Sequence, residues 1–319
     1  MIPYTWFVEA QNRIKPFVRN TPVSYDKGLD VLFKWENHQI TGSFKARGAL
    51  NKVLSLTEAE RKNGLVAASA GNHGQGVALA GTITGSIATI FLPSTASSVK
   101  VKAIRDNEAN IQFVTGGYEL AETTAQEYAS KNSMAWISPY NDGQVISGQA
   151  TIALELIEQV DFADYRSIVI PVGGGGLAAG IGLVMREKYP HIKVIGVQSY
   201  ASAFFHSLFY CQTQEGVIES SSVADGLEGR VEDNAITIPI LQRVLDDIIL
   251  VTEEEIEEAI RWAWTINHEI VEGSAAVTLA ARLNGKIKAL PAILILTGGN
   301  IDQVVFNRIT VDFIHDDQN

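Results

Sequence analysis

One lysine is the first candidate for chemistry. Lys45 lies in Thr41-Gly-Ser-Phe-Lys-Ala-Arg-Gly48, and an amine used for covalent catalysis must be neutral part of the time, which needs desolvation or a neighbouring cation. Phe44 could supply the first and Arg47 the second. A lone lysine is ordinarily a solvated surface residue, so the argument rests on the company it keeps. In Ser69-Ala-Gly-Asn-His-Gly-Gln-Gly76, Ser69, Asn72, His73 and several backbone N–H groups fall where a strand gives way to a helix. That geometry suits a carboxylate or phenolate oxygen. Pro171-Val-Gly-Gly-Gly-Gly-Leu-Ala-Ala-Gly180 places four successive glycines ahead of a helix, so the backbone can approach an anion with no Cβ in the way and the helix presents its positive end. Phosphate is the natural guest. Thr297-Gly-Gly-Asn300 and Ala224-Asp-Gly-Leu-Glu228 are weaker signals of the same kind.

A dinucleotide could compete for the glycine loop, because Gly173-x-Gly175-x-x-Ala178 fits a relaxed fingerprint. That reading needs an acid at the end of the next strand to hold a ribose, and the residue there is Gln198. A lysine, a phosphate cup, an Asn loop and a hydroxyl at Thr297 together favour a cofactor with an aldehyde, a ring and a phosphate, namely pyridoxal 5′-phosphate.

The elements that must position these residues alternate between short β-branched runs and helical segments, which predicts an α/β fold with mostly parallel sheets. Strands are expected at 31–35, 65–69, 87–92, 111–114, 134–137, 167–172, 193–198, 247–251 and 292–296. Helices are expected at 43–55, 72–81, 99–106, 118–131, 148–159, 177–187 and from Glu253 onward, which puts Lys45 in a first helical turn. The acidic Glu253-Glu-Glu255 suits a helix N-terminus. The block 64–141 reads as a small domain, and 1–63 plus 142–319 as the large cofactor-binding one. The chemistry falls where loops leave strand ends, as ligands do in open α/β sheets.

Composition limits the function classes. The 319 residues are 46% hydrophobic and 19% charged, which describes a folded globular chain. The net charge of −11 opposes a nucleic-acid or anionic-membrane partner. The single Cys211 can close no intrachain disulfide and suits a reducing compartment. The N-terminal stretch has no apolar secretory core. The uncharged run Ile168 to Met185 contains Pro171 and several glycines, so it reads as strand, loop and buried helix, not a membrane span. A cytoplasmic location is expected.

Ser43-Phe-Lys-Ala-Arg-Gly48, Ser69-Ala-Gly-Asn-His-Gly74, Pro171-Val-Gly-Gly-Gly-Gly176, Ala224-Asp-Gly226, Glu272-Gly-Ser274 and Thr297-Gly-Gly-Asn300 resemble the fold type II pyridoxal-phosphate enzymes, and within them the threonine dehydratase and serine racemase group. The motifs stand in family order across residues 43 to 300. The resemblance implies a two-lobed, tryptophan synthase β-like fold with helices on both faces of its sheets. It implies that Lys45 is the Schiff-base lysine and the base that removes the substrate α-proton. Phe44 would pack beside the pyridine ring and Asn72 would hydrogen-bond its 3′-oxygen. Gly173, Gly174, Gly175 and Gly176, with the Leu177 amide, would cradle the phosphate, and Thr297 would pair with the ring nitrogen. Ser69, Ala70, Gly71, Asn72 and His73 would bind the substrate carboxylate. The implied reaction is β-elimination from an L-β-hydroxy amino acid, foremost L-threonine or L-serine, to a 2-oxo acid and ammonia.

Departures from the family pattern sharpen this. Racemases of the group usually carry a serine where this chain has Ala70, and that hydroxyl acts as the second acid/base. Alanine there argues against stereoinversion and for a dehydratase. The divalent-metal site of some relatives uses a glutamate and an aspartate where this chain has Gln198 and Phe204, so no such site is expected. The regulatory domain of biosynthetic relatives is not expected after Thr297 either. Alternatives are a racemase, or a dehydratase acting on 3-hydroxyaspartate or phenylserine. Tyr140 and the loop from Ser199 to Phe209 are expected in the wall that decides the substrate. A homodimer is the oligomeric state the resemblance implies.

Overall fold

The computed structural model describes residues 2–96 and 98–310. Among the described residues ten strands form two sheets: β1 (Val23–Asp26), β2 (Val31–Trp35), β3 (Leu65–Ala68), β4 (Ala88–Pro93), β5 (Asn110–Val114), β6 (Ala135–Trp136), β7 (Ser167–Pro171), β8 (Lys193–Ser199), β9 (Asp247–Val251) and β10 (Ala292–Leu296). The larger sheet runs β1-β2-β10-β7-β8-β9 and the smaller β5-β4-β3-β6. All pairings are parallel except β1 with β2.

Strand sequences without polar alternation are what a sheet buried on both faces requires. In β10, Ile293 and Ile295 join one apolar cluster with the helices Gly143–Gln159 and Gly176–Lys188. Leu294 and Leu296 join another with Glu253–Asn267 and Gly273–Leu283. Period-two side chains thus glue a helical layer to each face. The smaller sheet repeats the pattern: Leu65 and Ala67 pack with Val77 and Leu50, while Val66 and Ala68 pack with Ala125 and Ala129 on the opposite face.

Most expected elements stand within a few residues of their sequence positions. The helix expected from 43 starts at Lys45, and Ser43 does not cap it. The helix expected at 148–159 begins at Gly143, five residues earlier, because Asp142 accepts from the Gln144 and Val145 N–H groups at 2.7 and 3.0 Å. Thr252 caps Glu253–Asn267 through a capping box with Glu255. Helices at Tyr4–Ile14, Phe204–Cys211, Thr237–Val244, Gly273–Leu283 and Gln303–Thr310, and strand β1, lie outside the sequence assignments. Gly273–Leu283 is buried along nearly its whole length, and no side chain caps its start.

Candidate active site

The carboxyl ends of β2, β3, β7 and β10 feed the four glycine- and hydroxyl-rich loops, and these converge. Phe44 N–H donates to the Thr297 carbonyl at 3.0 Å, and Ser43 bridges Gly298. Lys45 is therefore the first residue of its helix and lies against the end of β10. Close helix packing fixes it from behind: a Cβ on Gly76 would come within 3.1 Å of the Lys45 carbonyl, and one on Gly148 within 2.5 Å of the Arg47 carbonyl. Three helices thus approach at glycine distance around the lysine.

The Lys45 amine donates to the Pro139 carbonyl at 3.1 Å and lies 5.3 Å from the centre of the Phe44 ring. Burial pushes its pKa down to about 8, with Glu272 acting in the opposite sense. Arg47 plays no part in that shift. Its guanidinium turns away into a buried network, donating to Glu36 at 2.8 and 2.7 Å and to Glu155 at 2.9 Å. Burial works against its charge, but the two carboxylates outweigh it. The neighbouring-cation idea from the sequence is therefore replaced by desolvation.

The Asn loop sits opposite. Gly71, not an Asn side chain, occupies the cap of Asn72–Thr84, and Ser69 Oγ accepts from the Gly71 N–H at 3.1 Å. Asn72 Nδ2 donates to Glu272 at 2.7 Å, and its Oδ1 accepts from Asn300 Nδ2 at 2.7 Å. Both ends of the amide are thus engaged, and its NH2 group keeps a second N–H beyond the one given to Glu272. Burial raises Glu272 to about 7, while the bond from Asn72 restrains the rise. His73 is buried, its Nε2 is 2.7 Å from the Ile137 carbonyl, and burial followed by Lys45 pushes its pKa down to about 3. It is neutral at physiological pH and no proton shuttle. Ala70 offers no titratable group.

Gly173 to Gly176 lead from β7 into Gly176–Lys188, whose first N–H groups have no partner within the helix. Gly175 has φ +90°, a conformation glycine tolerates. Thr237 Oγ1 donates to the Gly174 carbonyl at 2.8 Å, so in a planar trans peptide the Gly175 N–H points the opposite way. Tyr140 backs the loop: a Cβ on Gly174 would fall 2.3 Å from its Cδ1, and one on Gly176 2.9 Å from its Cα. Only glycine fits, and the cup of free amides suits a phosphate. Thr297 is buried and Ser43 Oγ is buried without a partner, two hydroxyls beside Lys45 able to meet a heterocycle. The residues present therefore fit pyridoxal 5′-phosphate: an amine of lowered pKa, a buried hydroxyl set, a phosphate cup and a half-committed amide at Asn72.

Sequence reasoning gave no role to Glu272 or Asn300, although both stand in quoted motifs. Glu272 also lines a cavity of about 390 Å3 with Lys100, Ser222, Asp225 and Asn300. Lys100 and Asp225 pair across its mouth at 2.8 Å. Gln198, at the doubtful metal position, is buried and uses its amide locally, accepting from the His206 N–H at 2.7 Å. The stretch 199–209 is not the loop expected but a 3-10 turn at Tyr200–Ser202 followed by the helix Phe204–Cys211, and from that helix Phe205 reaches the glycine cup, 2.9 Å from where a Gly175 Cβ would stand.

This arrangement defines a class. The chain belongs to the family described as pyridoxal-phosphate dependent enzyme, whose model matches residues 11–298. Among individual relatives, it is 38% identical over 307 residues to the catabolic L-threonine dehydratase TdcB of Staphylococcus aureus, covering 92% of this chain and 88% of that protein. It is 37% identical to the L-threonine ammonia-lyase of Thermotoga maritima, with 94% and 76% covered. Maize serine racemase superposes with a TM-score of 0.88 at 29% identity, covering 99% and 98% of the two chains. The processed form of threonine deaminase isoform 2 from Solanum lycopersicum gives 0.88 at 30% identity, covering 96% and 92%. Among the described residues no helix is long and apolar enough to cross a membrane.

Proposed function

We propose that this protein is an ammonia-lyase that eliminates water from an L-β-hydroxy amino acid, with L-threonine or L-serine as substrate, and releases 2-oxobutanoate or pyruvate with ammonia. The observation that carries the reading is Lys45: an amine lowered to about 8, held between the Asn loop, the glycine cup and Thr297. When bound, pyridoxal 5′-phosphate supplies an electron sink for the pair left at the substrate α-carbon.

The chain's own groups do the rest. The glycine cup and the Leu177 amide would anchor the phosphate, Thr297 would face the ring nitrogen, Phe44 would cover the ring and Asn72 would offer its remaining N–H to the ring oxygen. Backbone amides from Ser69 to His73 take the substrate carboxylate at a helix N-terminus. The Lys45 amine is the base that takes the α-proton. The hydroxyl departs as water, and hydrolysis of the released enamine returns that water, so the balance is amino acid to 2-oxo acid plus ammonia. With Ala70 on the loop there is no hydroxyl at that position to reprotonate the opposite face, which favours elimination over racemisation.

Within this reading the block 64–141 is the smaller lobe, and the chain works in the cytoplasm as a homodimer. The test is 2-oxo acid release by purified holoenzyme from L-threonine and L-serine, beside Lys45→Ala. Release from wild type that disappears in Lys45→Ala is the expected result. Scrambling of the α-carbon without oxo acid overturns it.

A further inference from the structure

Asn300 fastens the Asn loop to the lysine loop. It closes Thr297-Gly-Gly-Asn300 after β10, and its Nδ2 donates to the Thr41 carbonyl at 2.8 Å and to Asn72 Oδ1 at 2.7 Å. Thr41 lies between β2 of the larger sheet and Lys45, whereas Asn72 opens a helix that packs on the smaller sheet. One side chain therefore ties elements of both sheets at the site. Room for it is built into the turn at Gly42. That residue has φ +71°, a Cβ on it would come within 2.6 Å of Asn300 Oδ1, and its carbonyl accepts from the Gly299 N–H at 2.9 Å.

The bonds have a direction that chemistry fixes. A backbone carbonyl only accepts, so the nitrogen end of Asn300 must face Thr41. The same nitrogen meets Asn72, which must answer with its oxygen. The Asn72 NH2 group is thereby turned the other way, giving one N–H to Glu272 at 2.7 Å and keeping a second. Glu272 alone would not fix the amide. Burial raises it to about 7, and a protonated carboxyl donates to an amide oxygen as readily as a carboxylate accepts from an amide nitrogen. The amide is close to the lysine. A Cβ on Gly298 would stand 2.5 Å from Glu272 Oε1 and 3.0 Å from Ser43 Cβ, and one on Gly76, a helical turn past Asn72, 3.1 Å from the Lys45 carbonyl.

We propose that Asn300 is a positioning residue for the cofactor: anchored on the Thr41 carbonyl, it fixes the Asn72 amide with its nitrogen toward Glu272 and the 3′-oxygen of pyridoxal 5′-phosphate. This rests on the cofactor site of the proposed function, in which Asn72 meets that oxygen. An N–H held there favours the ionised ring oxygen over the protonated one. A turned amide would set its own oxygen there and favour the protonated form. Asn300 thus acts on the charge of the ring oxygen through Asn72.

Spectral titration of apoprotein with pyridoxal 5′-phosphate, without substrate, reads both the affinity and the balance of the absorption bands that report an ionised or a protonated ring oxygen. Asn300→Leu keeps similar size and removes both donors. It is expected to weaken binding about tenfold, as one lost hydrogen bond does, and to move the balance toward the protonated form. Asn300→Asp offers only acceptor oxygens, draws the Asn72 nitrogen to the new carboxylate and should move the balance further. In an Asn72→Ala background, Asn300→Leu should add less than about twofold in affinity and leave the bands alone. An equal loss with and without Asn72 overturns the proposal, as does weaker binding with an unchanged band balance, the sign of a role confined to packing the loop. Should Asn300→Leu not fold, the isosteric Asn300→Asp decides on the band balance. A wild type that binds the cofactor but releases no oxo acid from L-threonine or L-serine would refute the lyase reading and leave this one standing.

Discussion

Replacing Arg47 by methionine isolates what holds the catalytic lysine in place. The guanidinium is 1% exposed on its side chain and clamps Glu36, which is fully buried, with Glu155 beyond. Methionine fills similar space and adds no charge, so the loss is electrostatic. Glu155 keeps Lys34 Nζ at 2.5 Å and the Thr21 N–H at 2.7 Å. Glu36 keeps only the Thr21 hydroxyl, at 2.5 Å. One carboxylate is left buried with a single neutral donor, and removing one partner of a buried pair costs about 3–5 kcal/mol. That is a large fraction of the roughly 5–15 kcal/mol that stabilises a typical domain. Urea unfolding of wild type and variant measures the deficit. Because Arg47 shares the first helical turn with Lys45, catalytic turnover should fall as well. A loss below ~1 kcal/mol would refute the reasoning, showing that water or rearrangement relieves Glu36.

Three further outcomes are expected. Gly174→Ala should weaken cofactor binding at least about tenfold, because its Cβ would fall 2.3 Å from Tyr140 and push the cup open. Gly117→Ala, with nothing within 4 Å of its Cβ, serves as the control and should bind as wild type; equal affinities for both variants, read from spectral titration of apoprotein, would sink the cup. The rate at which apoprotein takes up pyridoxal 5′-phosphate should rise with pH through about 8, the value to which burial lowers Lys45, since only the neutral amine attacks an aldehyde. A rise displaced to the ordinary lysine range would mean that the amine is solvated. Glu272→Gln removes the buried acid that raises the Lys45 pKa, so the same uptake profile should move to lower pH. A shift the other way would show that Glu272 does not act on Lys45 as a charge.

Chemistry was more legible in the sequence than architecture. Lys45, the Asn loop and the glycine cup announce themselves because anion binding demands unusual residues, glycines and small polar side chains, in short contiguous runs. Strands β7 and β10 are readable for a related reason: apolar runs buried at every position are bounded by turn residues. The helix Gly273–Leu283 lacks the capping side chain that would mark its start: Glu272 stands at its N-cap without a side-chain bond to the first turn. Asn141 and Glu232 lie 91 positions apart in segments without a motif, so nothing local marks their contact.

What the sequence determined alone is the inventory: an amine, a phosphate cup, an Asn loop, hydroxyls at strand ends, and Ala70 in place of a proton donor. These are properties of residue type and near-neighbour spacing, fixed before any chain folds. Tertiary structure decided the charges and their partners. It turned Arg47 away from Lys45 into a buried clamp, so that desolvation, not a cation, lowers the amine. It joined Asn72 to Glu272, 200 residues apart, at 2.7 Å, and brought Glu232 against Tyr140 and Asn141. Protonation and pairing depend on burial and on what packs within a few ångströms, and both quantities exist only once the two sheets close around the site.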